Sequence, residues 1–78
     1  MEVGDRVMWE SQAQGVWKRK IGTVIEKGND LLVVSVDTIV GFDPETWKET
    51  GDRKKLKTPK IYKPREKFCK VICQLPIR

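Results

Sequence analysis

Short stretches in which apolar and polar residues alternate, separated by turn-forming residues, run along most of the chain. Such a period of two predicts β-strands that are half buried. We expect a first strand around Val7–Trp9, a loop over Ser11–Gly15, a second strand over Trp17–Glu26 and a third over Leu31–Val36. The short polar connection Lys27–Asp30 predicts that the second and third strands form an antiparallel hairpin.

The pattern becomes less regular after the third predicted strand. Asp37-Thr38 is read as a possible turn before the short apolar stretch Ile39–Phe42. Asp43–Thr46 carries turn chemistry, with a proline at its second position and an aspartate before it. Trp47–Thr50 fits a strand or a single helical turn, and Phe68–Cys73 predicts the last strand.

Residues 51–67 contain few core-type side chains and many cations. Pro59 and Pro64 oppose a helix or a central strand in this segment. The sequence therefore predicts a long basic loop over residues 51–67, and loops of that length in compact domains are often functional or disordered.

The pattern supports no helix of usual length, and four to six short strands fit within 78 residues. We therefore predict a single all-β domain spanning residues 1–78. Its expected form is a small antiparallel SH3-like barrel of about five strands, with the long basic loop before the last strand. Closure into a barrel protects sheet edges that a flat sheet would expose.

The opening residues resemble a known class of small barrels. Gly4-Asp5-Arg6-Val7, followed by Lys20–Ile25 with its Gly-Thr-Val core, looks like the first hairpin of SH3-like modules of the KOW and Tudor kind. The longer string over residues 4–15, with residues 42–47 and 63–65, is similar to small uncharacterised proteins of bacteria and phages. That resemblance implies a fold and an origin, and it transfers no functional residues.

The net charge of +5 is distributed unevenly along the chain. Residues 1–52 carry a net charge of −4, whereas residues 53–78 carry +9. Such asymmetry predicts a partner with phosphates or an acidic surface. The absence of histidine excludes every histidine-based catalytic or zinc site within this chain.

Cys69 and Cys73 are too few for a disulfide scaffold, and we expect both to be reduced in a cytoplasmic protein. A membrane partner is not expected, because the sequence has no apolar run of about 18 residues.

The first candidate site is Trp17-Lys18-Arg19-Lys20, where an aromatic ring could stack a base and cations could hold phosphates. Alternation places Arg19 on the face opposite Lys18 and Lys20. The alternative is that Trp17 packs in the core while the cations line a solvated sheet edge.

The second candidate site is the basic loop with its interleaved tyrosine, a composition suited to phosphate backbones. The same loop could dock an acidic protein surface, or it could serve solubility alone. Trp47 is a further candidate, as a half-exposed interface anchor. The candidate residues of the loop are Arg53, Lys54, Lys55, Lys57, Lys60, Tyr62, Lys63 and Arg65.

These patterns favour a non-enzymatic module that contacts the backbone of DNA or RNA without reading sequence. The alternative is a phage- or mobile-element-encoded protein that binds and inhibits a host protein, such as a defence or transcription component. We expect no catalytic residue, metal or cofactor. The acids Asp43, Glu45, Glu49 and Asp52 are expected to pair with the basic loop, and too few aromatics are available for a methyl-lysine cage.

Overall fold

The computed structural model describes residues 1–73, which form one antiparallel five-stranded sheet. The spatial order of the strands is β4-β3-β2-β1-β5, and a short 3-10 helix, Glu66–Phe68, precedes the last strand. The prediction of an all-β antiparallel fold of five strands is confirmed. No helix in this part of the chain is long and apolar enough to cross a membrane. The strands are β1 (Arg6–Ala13), β2 (Val16–Lys27), β3 (Leu32–Asp43), β4 (Lys48–Tyr62) and β5 (Lys70–Cys73).

The prediction of a loop over residues 51–67 is wrong for residues 51–62, which belong to β4. Strand β4 lies at the edge of the sheet and pairs only with β3, so it accommodates a proline. Pro59 falls between Lys55 and Lys60, where the pairing with β3 is interrupted. Pro59 has no backbone N–H, and at this interruption none is needed to pair with β3.

The first hairpin is tighter than the sequence suggested. Ser11–Gly15 was expected to be a loop, but β1 and β2 continue through it and leave only Gln14-Gly15 as the turn. Both turn residues have positive φ, 54° and 80°, as a type I′ turn requires. The register that this turn imposes places Ser11 directly opposite Lys18.

Strand β3 runs without interruption through the turn expected at Asp37-Thr38, which is instead a β-bulge. Thr38 pairs with Ile21, whereas Val36 pairs with Gly22, so Asp37 is the extra residue. A bulge of this kind shifts which side chains face each side of the sheet.

The bulge divides the buried residues of β3 between the two faces of the sheet. Before the bulge, Leu32, Val34 and Val36 pack in the main core with Val7 and Trp9 of β1. After it, Val40 and Phe42 are buried with Ile21 on the opposite face. The residues of the main core are Val7, Trp9, Val24, Leu32, Val34, Val36 and Cys69.

The sheet curls so that its first and fourth strands meet across the main core. The ring of Tyr62, at the end of β4, packs edge-on against Trp9 of β1 with ring centroids 6.0 Å apart. Leu56 of β4 and Val71 of β5 also pack against this core. Within the described strands, β4 and β5 each pair on one side only, so the sheet is curled without being closed by hydrogen bonds.

We expect the substitution Gly22→Ala to destabilise the fold. A methyl group at this position would overlap the backbone carbonyl of Ser35, which lies where a side chain would be. Overpacking of this kind costs about 1–3 kcal/mol, measurable as a lower midpoint of urea unfolding.

Gly28→Ala is the matched control, because the added methyl group would meet only the Leu31 carbonyl at 3.5 Å, an ordinary contact. Its effect should stay within about 0.5 kcal/mol. Equal effects of the two substitutions would contradict the close approach of β2 and β3 at Gly22.

Candidate functional site

The three consecutive cations of β2 point to different sides of the sheet. Lys20 is paired with Trp9 on one side and Ile39 on the other, and so faces the main core. Arg19 is paired with Glu10 and Val40, and so faces the opposite side. The structure thus follows the alternation expected from the sequence and divides this candidate site in two.

Arg19 is buried in an ion-pair network on the outer face of the sheet. Its Nε donates to Glu10 Oε2 at 2.7 Å, and its Nη1 donates to Glu49 Oε2 at 2.9 Å. The guanidinium also lies 4.7 Å from the centroid of the Phe42 ring. Only 9% of Arg19 is exposed, so this residue stabilises the sheet and is not available to a ligand.

The other two arginines of the candidate set are also paired with carboxylates. Arg53 forms a two-pronged contact with Glu49, through Nε at 3.0 Å and Nη2 at 2.8 Å. Arg65 donates to Asp30 at 3.3 Å. The expectation that the acids would pair with the basic segment is confirmed for Glu49. The planar guanidinium suits such contacts better than the point charge of a lysine.

Several lysines line one cleft that contains none of the paired arginines. Lys18 and Lys20 of β2 and Lys60 of β4 line one cleft of about 330 Å³, together with Ser11 and Tyr62. We call this feature the cationic cleft. Among the residues that the structure describes, no aspartate or glutamate lines it. Its remaining lining consists of Ala13, Gln14, Val16 and Ile39.

Lys20 forms the inner end of the cationic cleft. It is 8% exposed, its Nζ donates to Ser11 Oγ at 2.6 Å, and the same atom lies 5.3 Å from the centroid of the Tyr62 ring. Burial lowers the pKa of Lys20, and the neighbouring charge of Lys18 lowers it further. Both effects disfavour the charged form, so a bound anion would supply the counter-charge that the chain does not provide there.

The other lysines of the basic segment extend this positive surface unevenly. Lys54 pairs with Ile39, and so shares the face of Lys20. Lys55 pairs with Thr38, on the opposite face. Lys57 and Lys63 are exposed, and neither forms an ion pair within residues 1–73.

Neither candidate tryptophan lies in the cationic cleft. Trp47 has a φ of 60° and is 56% exposed, and it packs edge-on against Phe42 on the Arg19 side of the sheet. Trp17 is half-buried and lines a second groove with Trp9, Pro64 and Phe68, and Ser11 lines both this groove and the cleft. A single site that combines either ring with Lys18 and Lys20 is therefore not formed.

Five lining residues of the cleft were not among the candidates: Ser11, Ala13, Gln14, Val16 and Ile39. The dipeptide Gln14-Gly15 was the available signal, since a glycine in a two-residue turn favours a tight hairpin. That hairpin fixes Ser11 opposite Lys18. Ile39 could not be found in this way, because its orientation depends on the bulge at Asp37.

The Glu49 network predicts a pH-dependent stability. Hydrogen bonds from Arg53, and then from Arg19, lower the pKa of Glu49 from its ordinary value of 4.5. A lowered carboxyl pKa stabilises the fold above pH 4.5, and this contribution is lost as pH falls through the folded-state value. Glu49→Gln should therefore lower the free energy of unfolding by about 1 kcal/mol at pH 7, and the difference from the unmodified protein should shrink below about pH 4.

Glu45→Gln removes the same charge from an exposed residue that forms no ion pair within the described chain. Chemical denaturation at pH 7 and pH 3 should show little change for this control at either pH. A Glu49→Gln effect that persisted unchanged at pH 3 would argue against the ion pairs as its cause.

Comparisons of this chain with protein-family models, with curated proteins and with solved structures give no match.

Proposed function

We propose that this protein is a non-enzymatic module that binds the phosphate backbone of nucleic acid through the cationic cleft. The observation that carries the proposal is the convergence of Lys18, Lys20 and Lys60 in a cleft that no described carboxylate lines. Three lysines that line one cleft without a carboxylate favour an anionic ligand.

A polymer of phosphates fits this surface better than an isolated small anion. Lys54 lies on the same face as Lys20, so the positive charge continues beyond the cleft along β4. Lysines are flexible point charges, which suit contacts with a repeating backbone that carry no sequence information. The binding is therefore expected to be electrostatic and strongly dependent on salt.

The buried thiol of Cys69 is not a candidate nucleophile. Burial, and then the charge of Glu66, raise the pKa of Cys69 to about 11. The thiol is then protonated at neutral pH and is a poor nucleophile. A free, buried cysteine also fits the proposed cytoplasmic location.

We further propose that the module is a relative of SH3-like barrels from bacteria or phages. The curl that brings Tyr62 of β4 against Trp9 of β1 supports this relationship, as does the tight first hairpin.

A second candidate function is the binding and inhibition of a host protein, which Trp47 favours. Its ring is 56% exposed, and the ammonium of Lys70 lies 5.4 Å from its centroid. Large exposed aromatic rings beside cations are typical anchors of protein interfaces. This surface lies on the opposite side of the sheet from the cationic cleft, so substitutions can test the two functions separately.

The direct test is a titration of the protein with labelled duplex and single-stranded oligonucleotides at several salt concentrations. If Lys18, Lys20, Lys54 and Lys60 each contact a phosphate, the log–log salt slope on duplex DNA should be about −3.6. The double substitution Lys18→Gln/Lys60→Gln should weaken binding to every sequence and reduce the magnitude of the slope by about 2.

Lys67→Gln serves as the control for loss of a lysine elsewhere, because Lys67 lies in the 3-10 helix outside the cationic cleft. It should leave affinity and slope nearly unchanged. If the protein bound none of the oligonucleotides at low salt, the proposal would fail, and substitution of Trp47 in a host-protein capture assay would become the relevant experiment.

Two neighbouring lysines of β4 provide a test of which face binds. Lys54→Glu should weaken nucleic-acid binding more than Lys55→Glu, because only Lys54 shares the face of Lys20. Both changes alter the net charge equally and lie at adjacent positions of the same strand. Equal losses of affinity, measured by fluorescence anisotropy, would indicate diffuse attraction to the whole molecule and not binding at the cleft.

A further inference from the structure

We infer that the cationic cleft selects single-stranded nucleic acid, taking one nucleotide with its base against the apolar lining residues and its phosphate among the lysines. This inference rests on the proposed function and specifies its ligand. It adds a contact to the base, which backbone binding alone does not require.

The lining of the cleft has two chemical halves. Lys18, Lys20 and Lys60 form the charged half, and the hydroxyl of Ser11 accepts a hydrogen bond from Lys20. Val16, Ile39 and the ring of Tyr62 supply apolar surface to the same cleft. A site for phosphate alone gains nothing from apolar surface, whereas a nucleotide presents both a flat apolar base and an anion.

The dimensions of the cleft suit one nucleotide unit. Its volume of about 330 Å³ lies at the lower end of the range for small-ligand sites, about 300–1,000 Å³. The Tyr62 ring is already packed against Trp9, so this part of the cleft lining is formed before a ligand binds. A preformed lining reduces the entropy that binding has to overcome.

A duplex cannot use the apolar half of the cleft. Its bases are paired and stacked inside the helix, and only phosphates and sugars face a protein surface that does not enter a groove. Reaching the apolar lining residues would require extruding a base, which costs unpairing and unstacking. A single strand can turn an unpaired base into the cleft at much lower cost.

The test compares three oligonucleotides of equal length: a single strand, its duplex, and a single strand with abasic sites throughout. The abasic strand keeps the phosphates and removes the bases. We expect the ordinary single strand to bind at least about fivefold more tightly than the abasic strand, in the range seen for one stacked base. It should also bind more tightly than the duplex at the same salt concentration.

A substitution of an apolar lining residue provides an independent readout. Val16→Ala should weaken binding of the ordinary single strand by about two- to threefold through lost apolar contact, and it should leave the abasic strand unaffected. Val3→Ala is the matched control, since Val3 is similarly exposed, at 61% against 52% for Val16, and lies outside the cleft. Circular dichroism of both variants would establish that the fold is retained.

The outcomes separate this inference from the proposed function. Equal, salt-dependent binding of the ordinary and abasic strands, or tighter binding of the duplex, would overturn the single-strand inference and leave backbone binding intact. Failure of all three oligonucleotides to bind at low salt would overturn both. An equal loss of affinity for the ordinary single strand in Val16→Ala and Val3→Ala would show that the base does not bind in the cleft, and so would overturn the inference.

Discussion

The close approach of β2 and β3 at Gly22 determines the form of this sheet. The Ser35 carbonyl occupies the place where a side chain would stand, and the extra residue Asp37 is accommodated immediately beside it. In a regular strand, Val36 and Ile39 would point to opposite faces, because they are three residues apart. The bulge brings both toward the main core. Without it, Ile39 would not lie beside Lys20 on the cleft side of the sheet.

The chain uses its two kinds of cation for different purposes. Arg19 and Arg53 hold Glu49 from two strands, β2 and β4, and so fix the outer face of the sheet. The arginine fork makes such contacts geometrically specific. Lys18 and Lys60 form no ion pair within residues 1–73, although they also come from β2 and β4. Strands β2 and β4 therefore carry arginines neutralised by carboxylates on one face of the sheet and lysines without ion pairs on the other.

The sequence predicted local features well and long-range pairing poorly. Alternation around Trp9 and over Trp17–Glu26 located two strands, and it correctly separated Arg19 from Lys20. Residues 51–62 were missed because they contain almost no buried side chain, which is the signal that period-two patterns detect. An edge strand is defined by its backbone pairing with a neighbour, and that pairing leaves little trace in polar side chains.

The lysines of β4 serve the edge of the sheet and the cleft together. A long unpaired edge invites association with other strands, and charged side chains with a proline are the usual protection. Strand β4 has both, in Lys54, Lys57, Pro59 and Lys60. Lys54 and Lys60 lie on the same face of the sheet as Lys20, although the pairing of β4 with β3 shifts register between these two lysines. The lysines that protect this edge are thus the same cations that the cleft presents to an anionic ligand.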